Sequence, residues 1–106
     1  MRLPRSLSVM QGEPFRHRCT LANASGLHLR PIQAFVEEAL RFKSEVTIAK
    51  DCSPAVNGKS SINMLTLAAE KGAGLTVEVI GPDADKALEA LKKVLERISA
   101  GEFEVE

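Results

Sequence analysis

The sequence has no tryptophan and no tyrosine, only four phenylalanines, and just two cysteines. Each shortage closes off a class of function. Nucleobases need aromatic faces or a cationic surface, and here 14 basic residues are balanced by 14 acidic ones, so nucleic-acid binding has neither support. Cys19 and Cys52 form no Cys-x-x-Cys pair. Together with His17 and His28 they amount to four metal-capable side chains, but their spacing fits no compact zinc module, so neither a metal nor a cofactor is expected. No apolar run approaches the roughly 20 residues that cross a bilayer. The opening Met1–Met10 is basic, but its apolar stretch is too short and too broken for a secretory signal. The expected setting is the cytoplasm, with both thiols reduced and no insertion into membrane.

What the chain does have is the material for one domain: 106 residues, 44% of them hydrophobic. Residues 1–13 read as a flexible tail, with Met10 an alternative start, 14–100 as the domain and 101–106 as a second tail. Phe15, His17, Cys19 and Leu21 alternate with polar residues, which predicts a strand with one face toward the core. Asn23-Ala24-Ser25-Gly26 is a polar turn. Ile32, Phe35, Val36, Ala39 and Leu40 then recur at helical spacing. Val46 and Ile48 mark a second strand, and Ala55-Val56-Asn57 a short third one. Ser60 or Ser61 is suited to cap a short helix running through Leu65, Ala68 and Ala69 to a stop at Gly72. Leu75, Val77 and Val79 form the fourth strand. Asp83, after Gly81-Pro82, is expected to cap a last helix whose apolar positions run from Ala84 to Ile98, with Asp85 early and Lys92, Lys93 and Arg97 late, as the helix dipole favours. The order β-α-β-β-α-β-α, with half-polar strands and amphipathic helices, predicts an α+β fold of two layers, helices on one side of a mostly antiparallel sheet.

The most informative stretch is Gly26-Leu27-His28-Leu29-Arg30-Pro31, which sets a histidine where a helix begins. Pro31 is tolerated there because the first helical turn has no acceptor for the N–H it lacks. The unpaired amides of that turn carry partial positive charge and can hold an anion. Arg30 opposes the helix dipole, an arrangement that makes sense if an anion arrives. The imidazole of His28 can take a phosphoryl group covalently while the backbone N–H groups of Leu29 and Arg30, and the Arg30 guanidinium, hold its oxygens. Asn57-Gly58-Lys59-Ser60 also contains Gly-Lys-Ser, but it lacks the upstream glycine of a P-loop. His17 reads as a half-buried strand residue.

Three segments in order, the His28 stretch, Val56-Asn57-Gly58-Lys59-Ser60 with Leu67-Ala68-Ala69-Glu70-Lys71-Gly72, and Gly81-Pro82-Asp83-Ala84 with its helix, make the chain resemble the histidine-containing phosphocarrier (HPr) family of the bacterial phosphotransferase system from about Phe15 to Ile98. The resemblance implies an open-faced sandwich, a four-stranded antiparallel sheet in the order 1-4-2-3 with three helices on one face. It also implies that His28 accepts a phosphoryl group on Nδ1 from phosphorylated enzyme I, which draws it from phosphoenolpyruvate. His28 then passes the group to an enzyme IIA domain of a sugar permease or to a regulatory target. Arg30 matches the family's arginine. Such a protein is a carrier without independent turnover, and transient docking suits a monomer. Ser60 matches a serine that some members phosphorylate for regulation, with Ser61 as the alternative register; a serine kinase and phosphatase would then be further partners. The partner-facing positions implied are Leu29, Ile32, Gln33, Ile62 and Leu65. Where the family commonly has small or aliphatic residues, this chain has Leu29, Ile32, Gln33 and Ser61, which keeps open a second role: an HPr-like regulatory module acting by docking, outside sugar uptake.

Overall fold

Leu75, Val77 and Val79 alternate with Thr76 and Glu78, and this period of two puts three aliphatic side chains on one face of the strand Gly74–Ile80, β4. A computed structural model describes residues 14–104 of the chain; the expected N-terminal tail and the alternative start at Met10 lie outside the described residues. Phe15–Thr20 (β1) and Glu45–Lys50 (β2) pair antiparallel with β4 on either side, with Phe15 and Val46 both opposite Val79. Val56–Asn57 (β3) joins the outer edge of β2, giving the order β1-β4-β2-β3. Three helices cover one face: Leu29–Ala39 (α1), Ser61–Leu65 (α2) and Ala84–Ser99 (α3). Between the layers Ile48, Leu75 and Val77 meet Ile32 and Phe35 of α1, Met64 of α2 and Leu91 and Ile98 of α3, all fully buried. The sandwich and its strand order are those expected.

Several local expectations need correction. Phe15 is 42% exposed, because β1 is an edge strand and its apolar face sinks into the core only toward Cys19 and Leu21. Leu40 continues the helical spacing but lies past the last turn of α1 and points to solvent, 62% exposed. The second helix ends at Leu65, well short of Ala69: Ala68 takes a left-handed φ of 49°, which no helix continues through, and its side chain is exposed. Met64, Leu67 and Ala69 are the residues of this segment that reach the core. Gly58, the glycine of the Gly-Lys-Ser run, serves packing: a Cβ there would lie 2.6 Å from the Val46 side chain and 3.2 Å from the Phe35 ring, while Lys59 Nζ donates to the carbonyl of Phe42 at 2.7 Å.

Asp83 stands at the start of α3, yet its carboxylate makes no capping bond. It turns instead to the loop before β2, accepting from the amides of Lys43 and Ser44, each at 3.0 Å, and from the Ser44 hydroxyl at 2.5 Å. Ser44 is buried, and Asp83 gives its amide and hydroxyl an acceptor. The Ser44 hydroxyl, then the Lys43 amide, hold the Asp83 carboxyl down at about 2 from an ordinary 3.8. A folded value below the unfolded one means that the contribution is complete above the unfolded value and fades as pH falls through the folded one. Asp83→Asn is therefore expected to lower the melting temperature by several degrees at neutral pH, with the gap to wild type closing in thermal melts as pH falls from about 4 to 2.

Candidate functional site

The turn that presents His28 is tied to the far end of the sheet. Leu21 donates to Ala73 and accepts from Gly72, and Leu27 donates to Ala69 at 2.9 Å, so residues 21–27 lie against residues 69–73. Gly26 closes the turn with φ at +65°, and the backbone of Ala69 and Glu70 leaves no room there for a Cβ. Asn23 is buried beneath it and donates from Nδ2 to the Gly26 carbonyl at 2.8 Å.

His28 is the N-cap residue of α1, in an extended conformation, and its carbonyl receives the first helical bond from Ile32 at 2.9 Å. Its side chain makes no capping hydrogen bond. The ring is half-buried, with 29% of its side chain exposed. The amides of Leu29 and Arg30 in the first turn have no acceptor among the described residues, and Pro31 adds no N–H of its own. Arg30 is exposed and pairs with no carboxylate among the described residues. Imidazole, free amides and an exposed cation thus stand together at one helix end. That grouping can attack phosphorus and hold phosphoryl oxygens without enclosing them.

Around this point Leu29 is 50%, Ile62 75% and Leu65 46% exposed, and Gln33 faces solvent on the outer side of α1. Ile32, expected at the partner-facing surface, is instead fully buried: it lies one turn from His28 on the face of α1 that packs on the sheet. Ser60 is the N-cap of α2, accepting from the Asn63 amide at 3.2 Å and the Asn63 side-chain amide at 2.8 Å, while Ser61 is the first helical residue. Among the described residues no cluster of His, Cys, Asp or Glu could hold a metal ion, and no helix is long and apolar enough to cross a membrane. Cys19 is half-buried, which pushes its thiol pKa up, away from reactivity, and Cys52 is exposed.

One residue at the site escaped sequence reasoning. The chain turns back after α3, and Glu104 places its carboxylate against the His28 turn, accepting from Asn23 Nδ2 at 3.1 Å and the Ser25 amide at 2.9 Å. His28 Nε2 lies 3.4 Å from Glu104 Oε2. The bonds from Asn23, then Ser25, hold the Glu104 carboxyl at about 2, well below its ordinary 4.5. No spacing rule links positions 76 residues apart, so the sequence carries no local signal for this contact.

A helix-start histidine on a β1-β4-β2-β3 open-faced sandwich defines a class, the single-domain phosphocarriers. The family model described as "PTS HPr component phosphorylation site" matches residues 15–97, and the chain belongs to the HPr family. It is 40% identical over 75 residues to the phosphocarrier protein HPr of Neisseria meningitidis, a span of 71% of this chain and 83% of that protein. It is 41% identical over 73 residues to the HPr-like protein Crh of Halalkalibacterium halodurans, covering 69% of this chain and 86% of the relative. Among solved structures, the histidine-containing phosphocarrier protein of Mycoplasma superposes with a TM-score of 0.76 at 29% identity, covering 80% of this chain and 96% of that one.

Proposed function

We propose that His28 accepts a phosphoryl group from phosphorylated enzyme I, itself charged by phosphoenolpyruvate, and passes it to an enzyme IIA domain or a regulatory target. The observation that carries this reading is an imidazole at a helix start that does no capping, beside two free amides and Arg30. A carrier must hold its cargo loosely, since a phosphoryl group bound too well does not move on. Dipole and amides at a helix start contribute up to about 2 kcal/mol, enough to favour the phosphorylated form without trapping it. Leu29, Ile62 and Leu65, apolar and exposed around the ring, form the docking face, and Gln33 lies on the same helix. Docking there is met by a single copy of the chain in the cytoplasm, and the chain itself has no independent turnover.

The test is direct. The purified chain is mixed with enzyme I, magnesium and phosphoenolpyruvate, and its intact mass is recorded before and after mild acid. One acid-labile phosphate is expected, mapped to His28 by fragmentation. The exposed Leu29 and Gln33 near the start of α1 favour a second reading, a regulatory module acting by docking alone. No gain of mass, with a cognate enzyme I of proven activity, would select it.

Ser60 is the proposed regulatory position. Aspartate caps helices about as well as serine, so Ser60→Asp is expected to leave the melting temperature within a few degrees of wild type. The added charge beside the docking face should slow phosphoryl acceptance from enzyme I by roughly tenfold through repulsion and desolvation. Unchanged transfer kinetics would leave Ser60 a cap and nothing more.

A further inference from the structure

The contact between Glu104 and His28 has a chemical direction. An ionised carboxylate has only lone pairs to offer, so the nitrogen facing it must bring the proton. His28 Nε2, 3.4 Å from Glu104 Oε2, is therefore the N–H of the neutral ring, and the lone pair is left on Nδ1. A carboxylate that fixes a histidine tautomer from behind is a recurring device in acyl transfer and metal binding. Here the carboxylate comes from a residue beyond the stretch that the family model matches, which ends at residue 97.

The approach of Glu104 is built, not casual. α3 ends with Gly101 in the left-handed conformation, φ +86°. The Gly101 amide bonds to the Ile98 carbonyl at 3.0 Å and the Glu102 amide to the Arg97 carbonyl at 3.1 Å, the paired bonds of a Schellman cap, which reverse the chain. Arg97 then holds the reversed segment twice, donating from Nε to Glu102 at 2.9 Å and lying 5.1 Å over the ring of Phe103, which packs on the core. Asn23 Nδ2 bridges the Gly26 carbonyl and Glu104, so the turn that presents the ring also anchors the carboxylate.

We infer that Glu104 is a positioning residue for phosphoryl transfer: it holds the Nε2 proton of His28, directs Nδ1 at phosphorus, and balances the charge that the ring gains. In the step, the Nδ1 lone pair forms the N–P bond as the bond from phosphorus to the donor breaks, and that electron pair leaves with the donor. The ring keeps its Nε2 proton, so the product is a phosphorylated imidazolium facing the Glu104 carboxylate. Onward transfer reverses this and returns the neutral Nε2–H ring.

This inference rests on His28 being the phosphoryl acceptor, and its test separates the two. The ring nitrogens of His28 are followed by long-range 1H–15N NMR through a pH titration, in the full chain and in Glu104→Ala, with the rate of phosphoryl acceptance from enzyme I measured beside them. Wild type is expected to show the Nε2–H tautomer alone at the neutral end. Glu104→Ala should drift toward the mixture of a free imidazole and accept phosphate about tenfold more slowly. Glu104→Gln keeps an acceptor oxygen without the charge; it should hold the tautomer yet still lose rate, which a merely structural role would not produce. Identical ring shifts in wild type and Glu104→Ala would overturn the inference, as would a faster rate in Glu104→Ala, which would make the carboxylate a shield. If the ring shifts respond but wild type takes no phosphate, the positioning stands and the carrier role falls.

Discussion

His28→Ala is expected to take up no phosphate at all while melting within about 2 °C of wild type. Both halves of that outcome follow from the geometry. The imidazole does no capping, so its removal leaves the start of α1 with the bonds it had, including the 2.9 Å bond from the Ile32 amide to the residue 28 carbonyl. Glu104 keeps its bonds to Asn23 and Ser25 when the ring is gone. Nothing else at the site can replace the nucleophile: Arg30 is a cation without a usable lone pair, and the backbone amides only donate. His17 lies in β1, opposite Val77, in the sheet and not at the helix start. The change in acceptance should exceed a thousandfold and be limited by assay sensitivity, since covalent catalysis has no partial form once its nucleophile is deleted. Intact mass with fragmentation and a thermal melt give both readings. Phosphate still arriving on the variant, at any residue, would remove His28 from its role.

Gly26→Ala should be the most damaging single methyl group at the site. At φ +65° an L-residue costs about 1–2 kcal/mol. The new Cβ would also sit 2.5 Å from the carbonyl oxygen of Ala69 and 2.7 Å from Cα of Glu70. Both are backbone atoms, and neither can swing aside, because Leu27 bonds to that same carbonyl. Strain and clash together should lower stability by about 3 kcal/mol or more, a fall of at least roughly 12 °C in melting temperature. The turn also carries His28 two residues on, and a shift of an ångström can slow a positioned reaction by up to a hundredfold. Acceptance should therefore fall even at temperatures where the variant is folded. Gly72→Ala is the control: its φ is +91° but nothing lies within 4 Å of the added carbon, so only the conformational cost applies, about 1 kcal/mol. Equal losses in the two variants would show that the close approach at Gly26 carries no weight.

The parts of the molecule legible in the sequence are those that periodicity or local chemistry governs. β4 declared itself by alternation, α3 by helical spacing from Ala84 to Ile98, and the turn before His28 by its polar residues and glycine. Resemblance supplied the strand order, which no local pattern encodes. The rest depends on groups that meet across the fold. Leu40 looked helical because spacing does not register where a helix stops, and Ala68 carries no mark of its left-handed backbone. Ile32 was drawn to the partner surface by closeness to His28 in sequence, although its side chain packs between α1 and the sheet and is fully buried. Asp83 reads as a cap in any window of residues; that it serves Ser44, 39 positions earlier, is visible only once β2 and α3 are placed. Glu104 is the extreme case, a functional neighbour of His28 supplied by a segment that composition marks only as a tail.

The strand order also bears on how the protein comes into being. β4 lies between β1 and β2, so of the three strand pairs only β2 with β3 can form before residues 74–80 have left the ribosome. The His28 turn waits nearly as long, because its backbone partners, residues 69–73, immediately precede β4. Pairing Phe15 with Val79 closes a loop of some sixty residues, a non-local contact of the kind that slows folding. A nascent chain is therefore assembled late and nearly all at once. Until β4 is inserted, the histidine is a side chain on an unformed turn, with no built surface for a donor to dock against.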